Sequence, residues 1–341
     1  MARWRRRPEG SNWGEFGPDD ELGRLNLLTP EKVRQGIAEV QDGLTFCLSL
    51  PLDLPGGNLL NPRRHPPRLR ATERGGRANY VYPFADEEPG LTDVVCDDAV
   101  LLHLQYSTQW DSLAHVGALF DADGDGAPEP VFYNGWRGGE HIRGPAVAHG
   151  PPFEGVVAER LGIEKMAARC IQGRGVLLDL HAHLGDARTL VGYDVLMRIA
   201  DADRVEVEPG DMVCLHTGFA RMVLDMAGAP TAERLHGSCA ALDGRDARLL
   251  RWITDSGLAV LIADNYAVEA VPAAPAAGTH PAMPLHEHCL FKLGVHLGEI
   301  WYLSELAGWL RAHGRSRFLL TAPPLRLPGA VGSPATPVAT V

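Results

Sequence analysis

Gln105-Tyr106-Ser107-Thr108-Gln109-Trp110-Asp111-Ser112-Leu113-Ala114-His115 is the stretch on which the reading of this chain turns. An apolar run, Ala99-Val100-Leu101-Leu102, precedes it and reads as a strand. If the strand continues, its alternation sets His103, Gln105, Ser107, Gln109 and Asp111 on one face. Leu102, Leu104, Tyr106, Thr108 and Trp110 then lie on the other. Such a polar face suits a solvated edge strand or a strand that lines a polar site. Asp111, followed four residues later by His115, favours the second.

Downstream of this stretch, short apolar runs alternate with helical patterns. Strands are expected at 175–180, 212–216, 259–263, 295–302 and 318–321, and helices at 193–202, 245–255 and 304–312, the last capped by Ser304. Residues 286–293 read as helical and stop at Gly294. Interleaving of this kind predicts an α/β protein with a mixed sheet. Upstream lie a helix signal at Thr29-Pro30-Glu31-Lys32, a strand over 44–50, and a long loop over 54–92 that could cover a site. The organisation expected is 1–95 as an arm and loop-rich part of one domain, 96–322 as the catalytic domain, and 323–341 as a Pro- and Ala-rich tail, extended and either packed or frayed.

Composition narrows the function. The chain has 341 residues, enough for a sizeable core, and its net charge of −11 disfavours a nucleic-acid or anionic-membrane surface. Arg3-Trp4-Arg5-Arg6-Arg7 has no apolar run behind it and reads as a solvated arm rather than a secretory signal. No stretch reaches the roughly 18 apolar residues of a membrane span. Six scattered cysteines without a Cys-x-x-Cys spacing read as buried, reduced thiols of a cytoplasmic protein.

Three residues can make a metal site. Asp111 offers a hard oxygen, and His286 and Glu299 add an imidazole and a second carboxylate, a set that suits Zn²⁺ or Mn²⁺. His115 can share the pocket as a ligand or as a proton shuttle. His181-Ala182-His183 resembles a barrel metal motif, but too little chain follows for that fold, and the pair reads as structural. Asp121-Ala122-Asp123-Gly124-Asp125-Gly126 begins like a calcium loop and lacks its closing Glu, with Phe132 there instead, so it reads as an acidic turn. There is no dinucleotide fingerprint, phosphate loop or nucleophile elbow.

The stretch 105–115 resembles the signature His-x-Gly-Thr-His-x-Asp-x-Pro-x-His of a metal-dependent cyclase family that includes bacterial kynurenine formamidase and isatin hydrolase. Phe132-Tyr133-Asn134-Gly135, residues 173–179, residues 263–269, and Leu285-His286-Glu287-His288 running on to Gly298-Glu299 look like further blocks of it. The resemblance implies a swivelling β/β/α fold with a partly barrel-like mixed sheet, and a homodimer or homotetramer. It also implies Asp111, His286 and Glu299 as metal ligands and His115 as the proton-exchanging histidine, with His288 competing for the role of His286. Gln105 and Gln109 stand where the family has histidines. An amide oxygen is a weaker ligand than imidazole, so a single ion is expected, held by Asp111, His286, Glu299 and Gln109.

The function expected is a metal-dependent hydrolase of a small amide, lactone or cyclic imide-like substrate that uses metal-activated water, with one Zn or Mn per subunit. The alternatives are a cyclase or dehydratase acting on an aromatic substrate, and a metal-free binding protein. Trp110, Gln105 and Tyr133 are the candidate substrate contacts.

Overall fold

The computed structural model describes residues 3–145 and 155–341. Its centre is a nine-stranded mixed sheet that curls into a half-barrel flanked by helices. In chain order the strands are β1 (Thr45–Cys47), β2 (Gln109–Asp111), β3 (Gln172–Asp179), β4 (Met212–His216), β5 (Val260–Ala263), β6 (His296–Glu299), β7 (Arg317–Thr321), β8 (Gly332–Pro334) and β9 (Val338–Thr340). Across the sheet they run β1-β9-β7-β3-β4-β5-β6-β2-β8. The inner run β3-β4-β5-β6 is parallel, and every other pairing is antiparallel.

Parallel strands need crossovers, and helices supply them. The helix Tyr193–Asp203 buries Leu196, Ile199 and Ala200, spaced to share one face. Asp246 caps Ala247–Ser256 by accepting from the amides of Arg248 and Leu249, and Gly257 closes that helix at φ 67°. Against one sheet face these helices bury Leu178, Leu215, Leu261 and Leu297. Opposite, Leu177, Cys214, Ile262, Trp110 and Trp301 pack with Leu306 and Leu310 of the helix Ser304–Ala312. At the first residues of the strands, Asp211 takes Arg174 through both oxygens and Lys32 at 3.0 Å, tying the helix Pro30–Ala38 to the sheet.

The strand expected to run from 99 through the motif is broken: Asp98–Leu101 pairs with Arg68–Ala71 in a separate ribbon, and only β2 alternates as expected. Residues 54–92 hold short ribbons as well as loop. The stretch beyond Pro323 is part of the sheet, since β8 flanks β2 and β9 lies between β1 and β7. Pro334 fits there because β8 is an edge strand. Ser304 does not cap its helix. Only Cys214, Cys239 and Cys289 are buried; Cys47, Cys96 and Cys170 are exposed. Of the N-terminal cluster, Arg5, Arg6 and Arg7 are exposed as expected, while Arg3 lies over Trp136 and Arg6 pairs with Asp121 of its own chain.

Candidate active site

The register of β2 against β6 builds the site. Glu299 lies opposite Gln109, and Leu297 opposite Asp111, so Gln109, Asp111 and Glu299 point to the same face. Gln109 Nε2 donates to Glu299 Oε2 at 3.0 Å. His286 ends a short helical turn, Pro284–His286, that runs into a π-helical stretch, Glu287–Leu293. Such widened turns recur at functional sites. Ligand atoms of Asp111, His286 and Glu299 all lie within 4.8 Å of one another, and the three residues are buried.

Glu269 orients the imidazole. It accepts from the amides of Leu285 and His286 and sits 2.7 Å from His286 Nδ1, leaving Nε2 to face Glu299 Oε1 at 3.2 Å. Gly244 makes room for this carboxylate, because a Cβ there would fall 2.2 Å from Glu269 Oε2. Backbone strain marks the same region. Ala267, Val268 and Ile300, which flank Glu269 and Glu299, have φ of 72°, 56° and 56°, unfavourable for a side chain and most of all for β-branched Val268 and Ile300.

The electrostatics are unbalanced. Burial, then the Glu299 charge, push the Asp111 carboxyl well above its ordinary range. Burial opposes charge on His286, but hydrogen bonds to Glu269 and Glu299 push it up to about 10. Burial also opposes charge on Glu299, and His286 holds its carboxyl low. Both oxygens of Asp111 and Oε1 of Gln109 are buried without a hydrogen-bond partner. An unpaired buried carboxylate costs several kcal/mol, so the set calls for a cation. A divalent cation fits it: two carboxylates, an imidazole held by a carboxylate behind it, and a free amide oxygen.

His115 borders the cluster, its Nε2 3.8 Å from Asp111 Oδ1. Burial, then the charge of His286, push it down to about 4. Gln105 Nε2 lies 3.3 Å from His115 Nδ1, which places the proton of the neutral ring on Nε2.

Asp111, His286, Glu299, Gln109, His115 and Gln105 therefore come together, and two expected substrate contacts do not. Trp110 points to the opposite face, fully buried in edge contact with Trp301, and its indole donates to the Ala322 carbonyl. Tyr133 is fully buried where a Cβ on Gly294 would fall 2.7 Å from its ring. His288 faces away, its Nε2 2.9 Å from Thr254 Oγ1, so His286 is the imidazole of the cluster. His181 and His183 pair with Asp186 and Asp203, and Asp121 is bound by Arg6 and the amides of Gly124 and Gly126.

Sequence reasoning missed Glu269 and Arg64. Glu269 was visible only as the last residue of a block. Arg64 sits in a loop without a pattern, donates to the Gln105 carbonyl at 2.6 Å, and its charge reaches Asp111, His115 and Glu299.

The family described as "Putative cyclase" matches residues 48–270. The chain belongs to this family. A crystal structure described as a novel cyclase is 32% identical to this cyclase-family chain over 97% of each, with a TM-score of 0.75. Isatin hydrolase A from Labrenzia aggregata, bound to benzyl benzoate, is 14% identical over 91% of this chain and 98% of its own, with a TM-score of 0.53. For isatin hydrolase A from Ralstonia solanacearum the values are 15%, 91%, 97% and 0.55. These two share the fold. No curated protein matches the chain. Among the described residues, no helix is long and apolar enough to cross a membrane.

Proposed function

We propose that this cyclase-family chain is a metal-dependent hydrolase of a small amide, lactone or cyclic imide-like substrate, with one Zn or Mn per subunit. The observation that carries the reading is the buried Asp111–His286–Glu299 cluster with both Asp111 oxygens unpartnered. Those three residues would hold the ion, and Gln109 Oε1 would be the fourth donor, its Nε2 being spent on Glu299. When bound, such an ion polarises a carbonyl and lowers the pKa of a coordinated water.

The rest is the work of side chains. Glu269 fixes the tautomer and orientation of His286. Gln109 holds the Glu299 carboxylate in place. Neutral His115, bound by Gln105 at Nδ1, presents Nε2–H to the site and can give its proton to a leaving nitrogen or oxygen. Arg64, beside Gln105, is placed to attract an anionic or carbonyl group of the substrate.

Hydrolysis in heavy-oxygen water tests the reaction class: label must enter the product acid, and a product without label would point to a cyclase or dehydratase instead. We also infer a homo-oligomer in which a second copy covers the ribbon Arg68–Ala71/Asp98–Leu101. Leu69, Val100 and Leu101 there are 71%, 51% and 58% exposed, and a lone two-stranded ribbon is marginal in water. Sedimentation of the intact chain checks this.

A further inference from the structure

The parallel strands bring a second polar cluster to the opposite face of the same sheet. Asp179 ends β3, His216 ends β4, and the two are in register. His216 Nδ1 lies 2.7 Å from Asp179 Oδ1, and its Nε2 lies 3.0 Å from Ser304 Oγ. Asp179 is held further by the Ala182 amide and the Arg311 guanidinium. Asp264 comes no closer than 4.0 Å to His216 Nε2, and its oxygens are taken by Thr217 and Gly218. His216 and Asp179 are buried, while Ser304 keeps part of its surface open.

Ser304 is the first residue of the helix Ser304–Ala312, one place past the position whose side chain caps a helix. Here Leu303 is the cap residue and makes no side-chain cap bond, and the hydroxyl is turned to the imidazole instead. Ala307 and Arg311, one and two turns further along that helix, line a cavity of about 520 Å³ together with Asp179, Leu177, Asp203, Arg204 and Arg315; of the three residues it reaches Asp179 and lies beside Ser304 and His216. That volume suits a small molecule.

We propose that Ser304, His216 and Asp179 form a second hydrolytic centre, separate from the metal cluster, that acts on small carboxylic esters. Ser304 Oγ attacks the ester carbonyl carbon as its proton passes to His216 Nε2. The bond to the leaving alcohol then breaks, and the alcohol takes that proton. Water adds to the acyl-serine, gives its proton to His216, and releases the acid as Ser304 recovers its own. Asp179 keeps the other imidazole proton on Nδ1 and so fixes the tautomer. The first-turn amides of the helix have no acceptor within it and can face the developing oxyanion.

The test uses the full chain after chelation, exposed to a fluorophosphonate probe and mapped by peptide mass spectrometry. One adduct is expected, on Ser304. Its rate should rise with pH as His216 loses its proton, and should fall by at least about 100-fold in His216→Asn. Ser304→Ala should give no adduct, and before chelation it should carry as much metal as the unaltered chain. Absence of an adduct, an adduct elsewhere, or unchanged labelling in His216→Asn would overturn the proposal. Mapping on the unsubstituted protein stands even where a variant folds poorly. Because the chain is metal-free in this experiment, its failure would leave the metal reading untouched.

Discussion

Two polar clusters sit at the carboxyl end of one sheet, on opposite faces, and they differ in how their charges are met. Asp111, Glu299 and His286 leave both Asp111 oxygens and one amide oxygen without partners. Across the sheet, Asp179 takes His216, Arg311 and a backbone amide, and the spare imidazole nitrogen finds a hydroxyl. A buried carboxylate without partners asks for a cation, whereas a satisfied Asp–His pair hands its basicity to whatever meets the free nitrogen. The same topological edge thus supports two chemistries, decided by what stands beside each acid.

The contrast breaks most visibly at Asp111. Asp111→Asn should reduce bound metal to a trace and cut turnover by about 10³-fold or more, the order expected when ligation and electrostatic stabilisation are lost together. Its melting temperature should no longer respond to chelator, as that of the unaltered chain must. A variant that still binds metal would show that the unpartnered carboxylate is not a ligand. His115→Asn comes next, with kcat falling by about 10²–10⁴-fold and metal retained. If metal is lost instead, His115 is a ligand and its proton-donor role is wrong.

Glu269→Gln should weaken metal affinity by about 10–100-fold, measured by competition with a chelating dye, because the imidazole loses the carboxylate that orients it. An unchanged affinity would make Glu269 only a packing residue.

The paired cluster should show itself in stability against pH. Burial opposes charge on both partners, yet their hydrogen bond holds Asp179 below 3.8 and His216 above 6.5. The contribution of Asp179 is present above 3.8 and lost as pH falls through its folded value; that of His216 is full below 6.5 and lost as pH rises through its folded value. Asp264, Arg311 and His181 also face this imidazole. His216→Asn should therefore destabilise by about 1–3 kcal/mol, most between these two limits, as read from denaturant melts. A flat difference across pH would mean that the pair is not charged.

Much of this was legible in the sequence, and the misses have physical causes. The inner strands announced themselves by apolar runs, the helix Pro30–Ala38 by proline at its first position, and the helical stretch before Gly294 by that glycine. Asp111, His286 and Glu299 were found because the motif and the downstream block could be matched. The continuous strand was an error because alternation alone does not reveal the turn between Leu101 and Gln109. Trp110 and Tyr133 were offered as substrate contacts on residue type, but packing claimed both. Both last strands lie in a proline-rich stretch and are three residues long; β8 tolerates its own proline because it is an edge strand, and β9 is paired on both sides. Glu269 and the Asp179–His216–Ser304 cluster depend on contacts between distant segments, which no local pattern encodes.

The central claim is that the buried acids on one face hold a cation. Elemental analysis of the purified chain, dialysed and then reconstituted with Zn²⁺ or Mn²⁺, tests it most directly. One ion per chain, lost in Asp111→Asn and kept in Ser304→Ala, is the expected result; no bound ion at saturating metal would contradict it.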